Sequence, residues 1–205
     1  MKKGLLIVLE GPDGCGKSTQ IKLLEQYFKE KGEEVLCTRE PGGANISEKI
    51  RTIILDNKNI NMSPMCEALL CAASRAQLVE EVIKPAIEKG VMVICDRFVT
   101  SSIVYQGIGR NLGIDNIKSI NEAALSGLIV DFTFMLMIPF ELGLKRKAEQ
   151  KKLDRLENSG LEFHKKVYEG YIELSKGKDI MIIDATKELI EVHKEILNKI
   201  QTFVM

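Results

Sequence analysis

The chain has 205 residues, 45% of them hydrophobic, enough to bury one sizeable core, and its length suits a single domain over residues 1–205. Lys plus Arg (29) equals Asp plus Glu (29), so no global positive field exists to hold nucleic acid or an anionic membrane surface, and any polyanion must be gripped by local basic groups. The longest apolar run, Leu5 to Leu9, is far too short to cross a bilayer and Glu10 breaks a signal-peptide reading, while five cysteines, odd in number and without paired metal-ligand spacing, fit reduced thiols in the cytoplasm.

Leu5 to Leu9 reads as a strand that runs into the loop GPDGCGKST. The helix that follows carries Ile21, Leu24 and Phe28 on one face and ends at Gly32, which suits the left-handed position just past a helix. Val35 to Thr38 is the next strand, and Ile46 to Asp56 the next helix. Ser63 and Pro64 open a helix as N-cap and first helical residue, and it runs toward Ile83; Pro85 marks a break or fresh start before Gly90. Val91 to Cys95, Phe132 to Met137 and Ile180 to Ile183 complete five short apolar runs separated by helical pattern, which argues an α/β fold with a parallel sheet. Leu144 to Glu157, LKRKAEQKKLDRLE, is densely charged, has almost no stripe to face a core, and reads as a mobile segment.

Gly11, Gly16, Lys17 and Ser18 fit G-x-x-x-x-G-K-[ST] between a predicted strand and a predicted helix, the context that this phosphate-binding motif requires. Glycines let backbone N–H groups turn inward around a phosphate, and the helix N-terminus adds positive potential. Gly11, Pro12, Asp13, Gly14, Cys15, Gly16, Lys17, Ser18 and Thr19 are therefore candidates to bind ATP, with Lys17 reaching the transferred phosphate and Ser18 ligating Mg²⁺.

The run VMVICDR puts Asp96 at the C-terminal end of a buried strand, where open α/β sheets bind ligands, with Arg97 next to it. Asp96 can hold Mg²⁺ through water, although an aspartate ending a strand also serves as a helix cap. Arg97 offers a planar fork suited to two phosphate oxygens.

A kinase differs from a nucleotide-hydrolysing switch in having basic groups for a second phosphorylated molecule. Arg39 in TREPGG and Arg75 in the helix begun at Ser63 could line a pocket beside the loop, or be solvated charges. Asn57 to Ile60 lacks the final aspartate of Asn-Lys-x-Asp, which disfavours a GTPase.

Taken in order, the phosphate loop, TREPGG at Thr38 to Gly43, Ala73-Ser74-Arg75, DRFVTSSIVYQG at Asp96 to Gly107 and LDRLE at Leu153 to Glu157 resemble the thymidylate kinases over nearly the whole chain. The resemblance implies a nucleoside monophosphate kinase fold, a doubly wound five-stranded parallel sheet flanked by helices with a mobile lid at about residues 145–157, and transfer of the ATP γ-phosphoryl group to dTMP. It also implies a homodimer and no nucleic-acid or membrane partner. On matching residues it implies Asp13 near the acceptor sugar and phosphate, Arg97 on the acceptor phosphate and Arg75 on the pyrimidine. It implies further that Tyr105 packs against the deoxyribose, that Gln106 and Ser102 lie near the base, and that Glu40 with Pro41 shapes the nucleoside side.

The family has two classes, set by whether the catalytic arginine lies in the phosphate loop or in the lid. Position 14 is glycine, so the lid type is implied, with Arg146 as the catalytic cation and Lys147, Lys151 and Lys152 as helpers. Arg155 is the alternative, or else pairs with Asp154 or Glu157. Where the family places an aromatic residue to stack on thymine, LLCAASR puts Cys71, so weaker dTMP binding or an altered base preference is expected. The competing readings are a nucleoside monophosphate kinase of shifted base specificity and, in another class, a P-loop ATPase that switches a partner.

Overall fold

The computed structural model describes residues 4–148, 153–177 and 179–204. Five strands, β1 (Leu6–Glu10), β2 (Val35–Arg39), β3 (Met92–Asp96), β4 (Phe132–Met137) and β5 (Met181–Asp184), pair in parallel in the order β2-β3-β1-β4-β5. Each predicted strand lies within one residue of an observed one, because β-branched and apolar runs this short and bounded by turn residues have few other ways to be buried.

Parallel strands need crossovers, and helices α1 (Lys17–Glu30), α2 (Asn45–Leu55), α3 (Pro64–Leu78), α4 (Lys84–Glu88), α5 (Val99–Ser102), α6 (Ile114–Leu125), α7 (Phe140–Ala148) and α8 (Leu161–Leu174) supply them, while α9 (Leu189–Val204) follows β5 and packs beside α1. They cover both faces, so β1 is buried along its whole length and reads as a continuous apolar run rather than an alternating one. Successive side chains still point to opposite faces. Ile7, Leu9, Ile94 and Phe134 pack with Leu24, Phe28, Ile196 and Ile200, while Leu6, Val8, Val93 and Cys95 pack with Leu78, Val79, Ile83 and Ile87. Each fully buried leucine here stabilises by roughly 1.5–3 kcal/mol.

Ser63 caps α3, its hydroxyl accepting from Cys66 N–H at 3.2 Å, with Pro64 as the first helical residue. α1 ends as expected, with Gly32 at φ 79° after the cap residue Lys31. Pro85 does not break the helix: α3 passes through a π-helical turn, Val79–Ile83, directly into α4. In an α-helix the proline ring would strike the carbonyl four residues back, and the wider π turn just before it relieves that clash.

The topology that positions the site is the pairing of β1 with β3, Leu9 opposite Asp96. It sets the loop leaving β1 beside the residues leaving β3, at the carboxyl edge of the sheet.

Candidate active site

The loop after β1 is built on positive φ angles. Gly11 sits at φ 133°, and a Cβ there would lie 2.2 Å from the Leu136 carbonyl oxygen, so a side chain would push the loop off β4. Gly16, left-handed, precedes α1, and no side chain caps the helix, so its N-terminal dipole faces the loop cavity as phosphate binding requires. Lys17 is buried at the first helical position, and its ammonium donates to the Gly11 and Pro12 carbonyls at 3.0 Å each and lies 3.6 Å from Cys15 Sγ.

Ser18 and Asp96, 78 residues apart in the chain, meet here: Ser18 Oγ donates to Asp96 Oδ2 at 2.9 Å. Among the described residues no group of three or more His, Cys, Asp or Glu could hold a metal. One hydroxyl and one carboxylate nevertheless fit Mg²⁺, which keeps several waters and takes its other oxygens from substrate phosphates.

Arg97 takes φ 67°, a left-handed conformation costly to a residue with a Cβ, and its side chain is held from several directions. Nη1 donates to Tyr171 Oη at 2.9 Å, Ser101 Oγ at 3.1 Å and the Gly11 carbonyl at 3.2 Å, Nη2 pairs with Asp13 Oδ1, and the guanidinium lies 5.3 Å from the Tyr105 ring centre. Tyr105 in turn donates to Asp13 Oδ2 at 3.3 Å. Glu10, fully buried at the end of β1, accepts from the N–H groups of Phe98 and Ser101 and from the Ser101 hydroxyl, which fixes the turn bearing Arg97. Burial raises the Glu10 carboxyl above its ordinary value against the opposing pull of Ser101 and Arg97.

A pocket of about 290 Å³ opens from this point. Asp13, Arg39, Glu40, Pro41, Cys71, Arg75, Arg97, Ser102, Tyr105 and Gln106 all line it, together with Ser18 and Asp96. Arg75 is 2% exposed, its Nε held by both Glu40 oxygens at 3.0 and 2.9 Å, its Nη1 by Ser102 Oγ at 3.2 Å and by Asn121 Oδ1. A pair this buried is worth about 3–5 kcal/mol against loss of one partner. Arg39 is half-exposed and pairs with Glu48 at 2.9 Å, so it is both a pocket residue and a solvated charge. Cys71 is buried in the wall, and burial, with Glu67 nearby, pushes its thiol up to about 12, so it is a small neutral wall residue.

Arg146 Nη1 donates to the Gly14 carbonyl at 2.8 Å, so the arginine and the phosphate loop are in contact. Lys151 and Lys152, and the side chain of Lys147, lie outside the described residues. Arg155 is corrected: it turns away from the phosphate loop and pairs with neither Asp154 nor Glu157. It is 8% exposed, Nε donates to the Ile54 carbonyl at 2.6 Å, and Nη2 meets Glu67 Oε2 at 2.8 Å. The end of the charged segment is therefore docked on α2 and α3, and Asp154, Leu156 and Glu157 wall the pocket.

Arg51 and Asn121 escaped the sequence reading. Arg51 lines the pocket and donates from Nη1 to the Pro41 carbonyl at 2.7 Å. Its signal is an arginine four residues after Ser47 and three before Ile54, both buried, hence on the inward face of α2. Asn121, buried behind Arg75, carries the same signal, four residues after Ile117 and three before Ala124 on the inward face of α6.

The sequence model described as Thymidylate kinase matches residues 9–196. A thymidylate kinase of Thermoanaerobacter sp. (strain X514) is 50% identical over 204 residues, covering 98% of this chain and 100% of its own. That of Thermosipho africanus (strain TCF52B) is 49% identical over 193 residues, covering 94% and 95%, and that of Lactobacillus acidophilus 47% over 204 residues, covering 97% and 94%. With the phosphate loop, the pocket beside it and relatives at this identity over nearly its whole length, the chain belongs to the thymidylate kinase family.

Proposed function

We propose that the chain, acting as one domain, transfers the γ-phosphoryl group of ATP to dTMP, giving dTDP and ADP. The observation that carries this is a single pocket that joins an arginine-lined phosphate end, Arg97 and Arg51, to a nucleoside end walled by Arg75, Gln106 and Tyr105, and that opens onto the phosphate loop. A hydrolysing switch has no use for such an acceptor pocket.

Lys17 and the N-terminus of α1 hold the donor phosphates, and Arg97 exchanges its Asp13 contact for the acceptor phosphate. The nucleophile is already an ionised phosphate oxygen, so the chain's task is alignment and charge neutralisation rather than proton removal. Arg146, at the Gly14 carbonyl, brings the cation that the glycine cannot. Ser18 and Asp96 would hold Mg²⁺, which neutralises charge on the donor phosphate oxygens. Tyr105 closes the sugar side, and Arg75, fixed by Glu40, Ser102 and Asn121, presents its one remaining Nη2 N–H to the base.

The enzyme works as a cytoplasmic homodimer. Ile46, Ile53, Met65 and Leu69 lie exposed on α2 and α3, which pack together, and this apolar face supports self-association. The five cysteines are free, and no helix of the described residues is long and apolar enough to cross a membrane.

A coupled assay with ATP and dTMP tests the function: ADP must form only when dTMP is present, and dUMP, dCMP and dGMP must serve less well. ADP release that does not depend on an acceptor would replace this reading with that of an ATPase.

A further inference from the structure

The turn formed by residues 153–159 separates two cavities. Asp154, Leu156 and Glu157 face the acceptor pocket, whereas Arg155, Asn158 and Ser159 face a second cavity of about 210 Å³ that Arg110 and Asn57 also line. Arg110 and Arg155 share one carboxylate, Glu67, which is 1% exposed: Arg110 Nη2 meets Oε2 at 3.2 Å and Arg155 Nη2 meets it at 2.8 Å. Two guanidiniums on one carboxylate leave one positive charge in excess. Each also keeps an Nη1 that meets no protein acceptor among the described residues, although Arg155 is itself more than nine-tenths buried. Arg110 lies 4.2 Å above the Phe163 ring, which fixes the plane of the guanidinium and leaves its edge open, and donates to Ser159 Oγ at 2.9 Å.

We propose that this cavity is a second anion site that takes a phosphoryl group between Arg110 and Arg155. Planar forks with free N–H groups match phosphate oxygens, and the excess charge gives the anion its reason to enter. The cavity is smaller than the acceptor pocket, about 210 against 290 Å³, and no aromatic ring among the described residues lines it to take a base, so it suits a phosphoryl group and not a whole nucleotide. The group comes either from free inorganic phosphate or from the phosphate end of a nucleotide whose base stays outside. Glu67 also accepts from Gln106 Nε2 at 2.9 Å, and Gln106 lines the acceptor pocket, so the two cavities share a buried carboxylate as well as a wall.

The test is calorimetric titration of inorganic phosphate, and separately of AMP, into full-length enzyme already saturated with Mg²⁺, a non-hydrolysable ATP analogue and dTMP, so that the phosphate loop and acceptor pocket are filled. One further equivalent of phosphate binds, and Arg110→Ala and Ser159→Asp each weaken it by about tenfold or more, the loss of one charge-assisted contact or its replacement by an internal carboxylate. Ser159→Asp keeps both arginines and the Phe163 contact, so it decides the matter if Arg110→Ala fails to fold. AMP binding more tightly than phosphate assigns the site to a nucleotide tail, and AMP binding no more tightly assigns it to free phosphate; both support the site. No binding to the doubly loaded enzyme, or binding equal in wild type and Ser159→Asp, overturns it.

Discussion

The guanidinium of Arg146 donates to the carbonyl of Gly14 at 2.8 Å, joining the base of the charged segment to the one phosphate-loop position that could have carried an arginine of its own. At Gly14, φ is 75°, and a Cβ would lie 3.2 Å from the Gly143 carbonyl oxygen and 3.3 Å from Arg146 Cβ. The glycine leaves room for the approach of α7, and α7 brings the cation. Arg146→Ala is expected to lower kcat about 10³-fold with the dTMP KM little changed, as for other cations that act on the transferring phosphoryl group. Gly14→Arg should not compensate, and should cost about 1–3 kcal/mol of stability in urea denaturation because of its backbone conformation. Steady-state kinetics with a normal kcat in Arg146→Ala would remove the residue from the reaction.

Chelation with EDTA should abolish turnover and added Mg²⁺ restore it. The contact between Ser18 and Asp96 locates the dependence. Asp96→Asn should raise the Mg²⁺ concentration for half-maximal rate about tenfold or more, the cost of a lost charged ligand, and an unchanged Mg²⁺ dependence would place the metal elsewhere.

Tyr171→Phe keeps the buried ring, which packs with Val104 and Tyr105, and deletes the hydroxyl that meets Arg97 Nη1 and Ser101 Oγ, each at 2.9 Å. The expected result is a loss of about 1–3 kcal/mol in thermal or chemical denaturation. Because Arg97 then loses a partner that holds it, the KM for dTMP should rise while that for ATP holds; equal changes in both would mark Tyr171 as purely structural.

Cys71→Phe should lower the dTMP KM about fivefold or more, since stacking on an aromatic face contributes about 1–3 kcal/mol per base in single-strand binding sites. A wild-type dTMP KM in the variant would defeat the stacking argument. Burial also sets the reactivity of the thiol. A thiol reacts as thiolate, the thiolate forms only above the pKa, and burial has pushed Cys71 up to about 12. Iodoacetamide at pH 8, followed by peptide mass spectrometry, should therefore label the exposed Cys66 and spare Cys71, with labelling of Cys71 rising only as the pH approaches its pKa.

Light scattering coupled to size-exclusion chromatography should return twice the 23.0 kDa chain mass. Leu69→Glu, on the exposed side of α3, should shift the protein toward monomer with its circular dichroism unchanged, and a monomeric wild type would end the dimer proposal.

The parts of the molecule legible in the sequence are those whose chemistry is local. Leu5 to Leu9 and Val91 to Cys95 read as buried strands because a run of five apolar or β-branched residues between turn formers has few other fates. The glycines, lysine and serine of the phosphate loop work through backbone angles and a helix terminus only a few residues away. Resemblance extended this to the acceptor residues, and all of them line one pocket. Pro85 marks the fresh start of α4 at Lys84, but the π turn that joins α4 to α3 without a break leaves no mark in composition.

Charge was the limit. LDRLE has the composition of a solvated face, and nothing within it distinguishes Arg155 from its neighbours; its partner Glu67 lies 88 positions away. Arg51 and Asn121 likewise became part of the site only when α2 and α6 packed around α3. Backbone preference and hydrophobic period act over a few residues and are written in order along the chain, so the sequence by itself determined the strands and the phosphate loop. Whether a charged side chain is solvated or buried depends on which carboxylate or carbonyl the crossovers bring to it, and that only the tertiary structure decided.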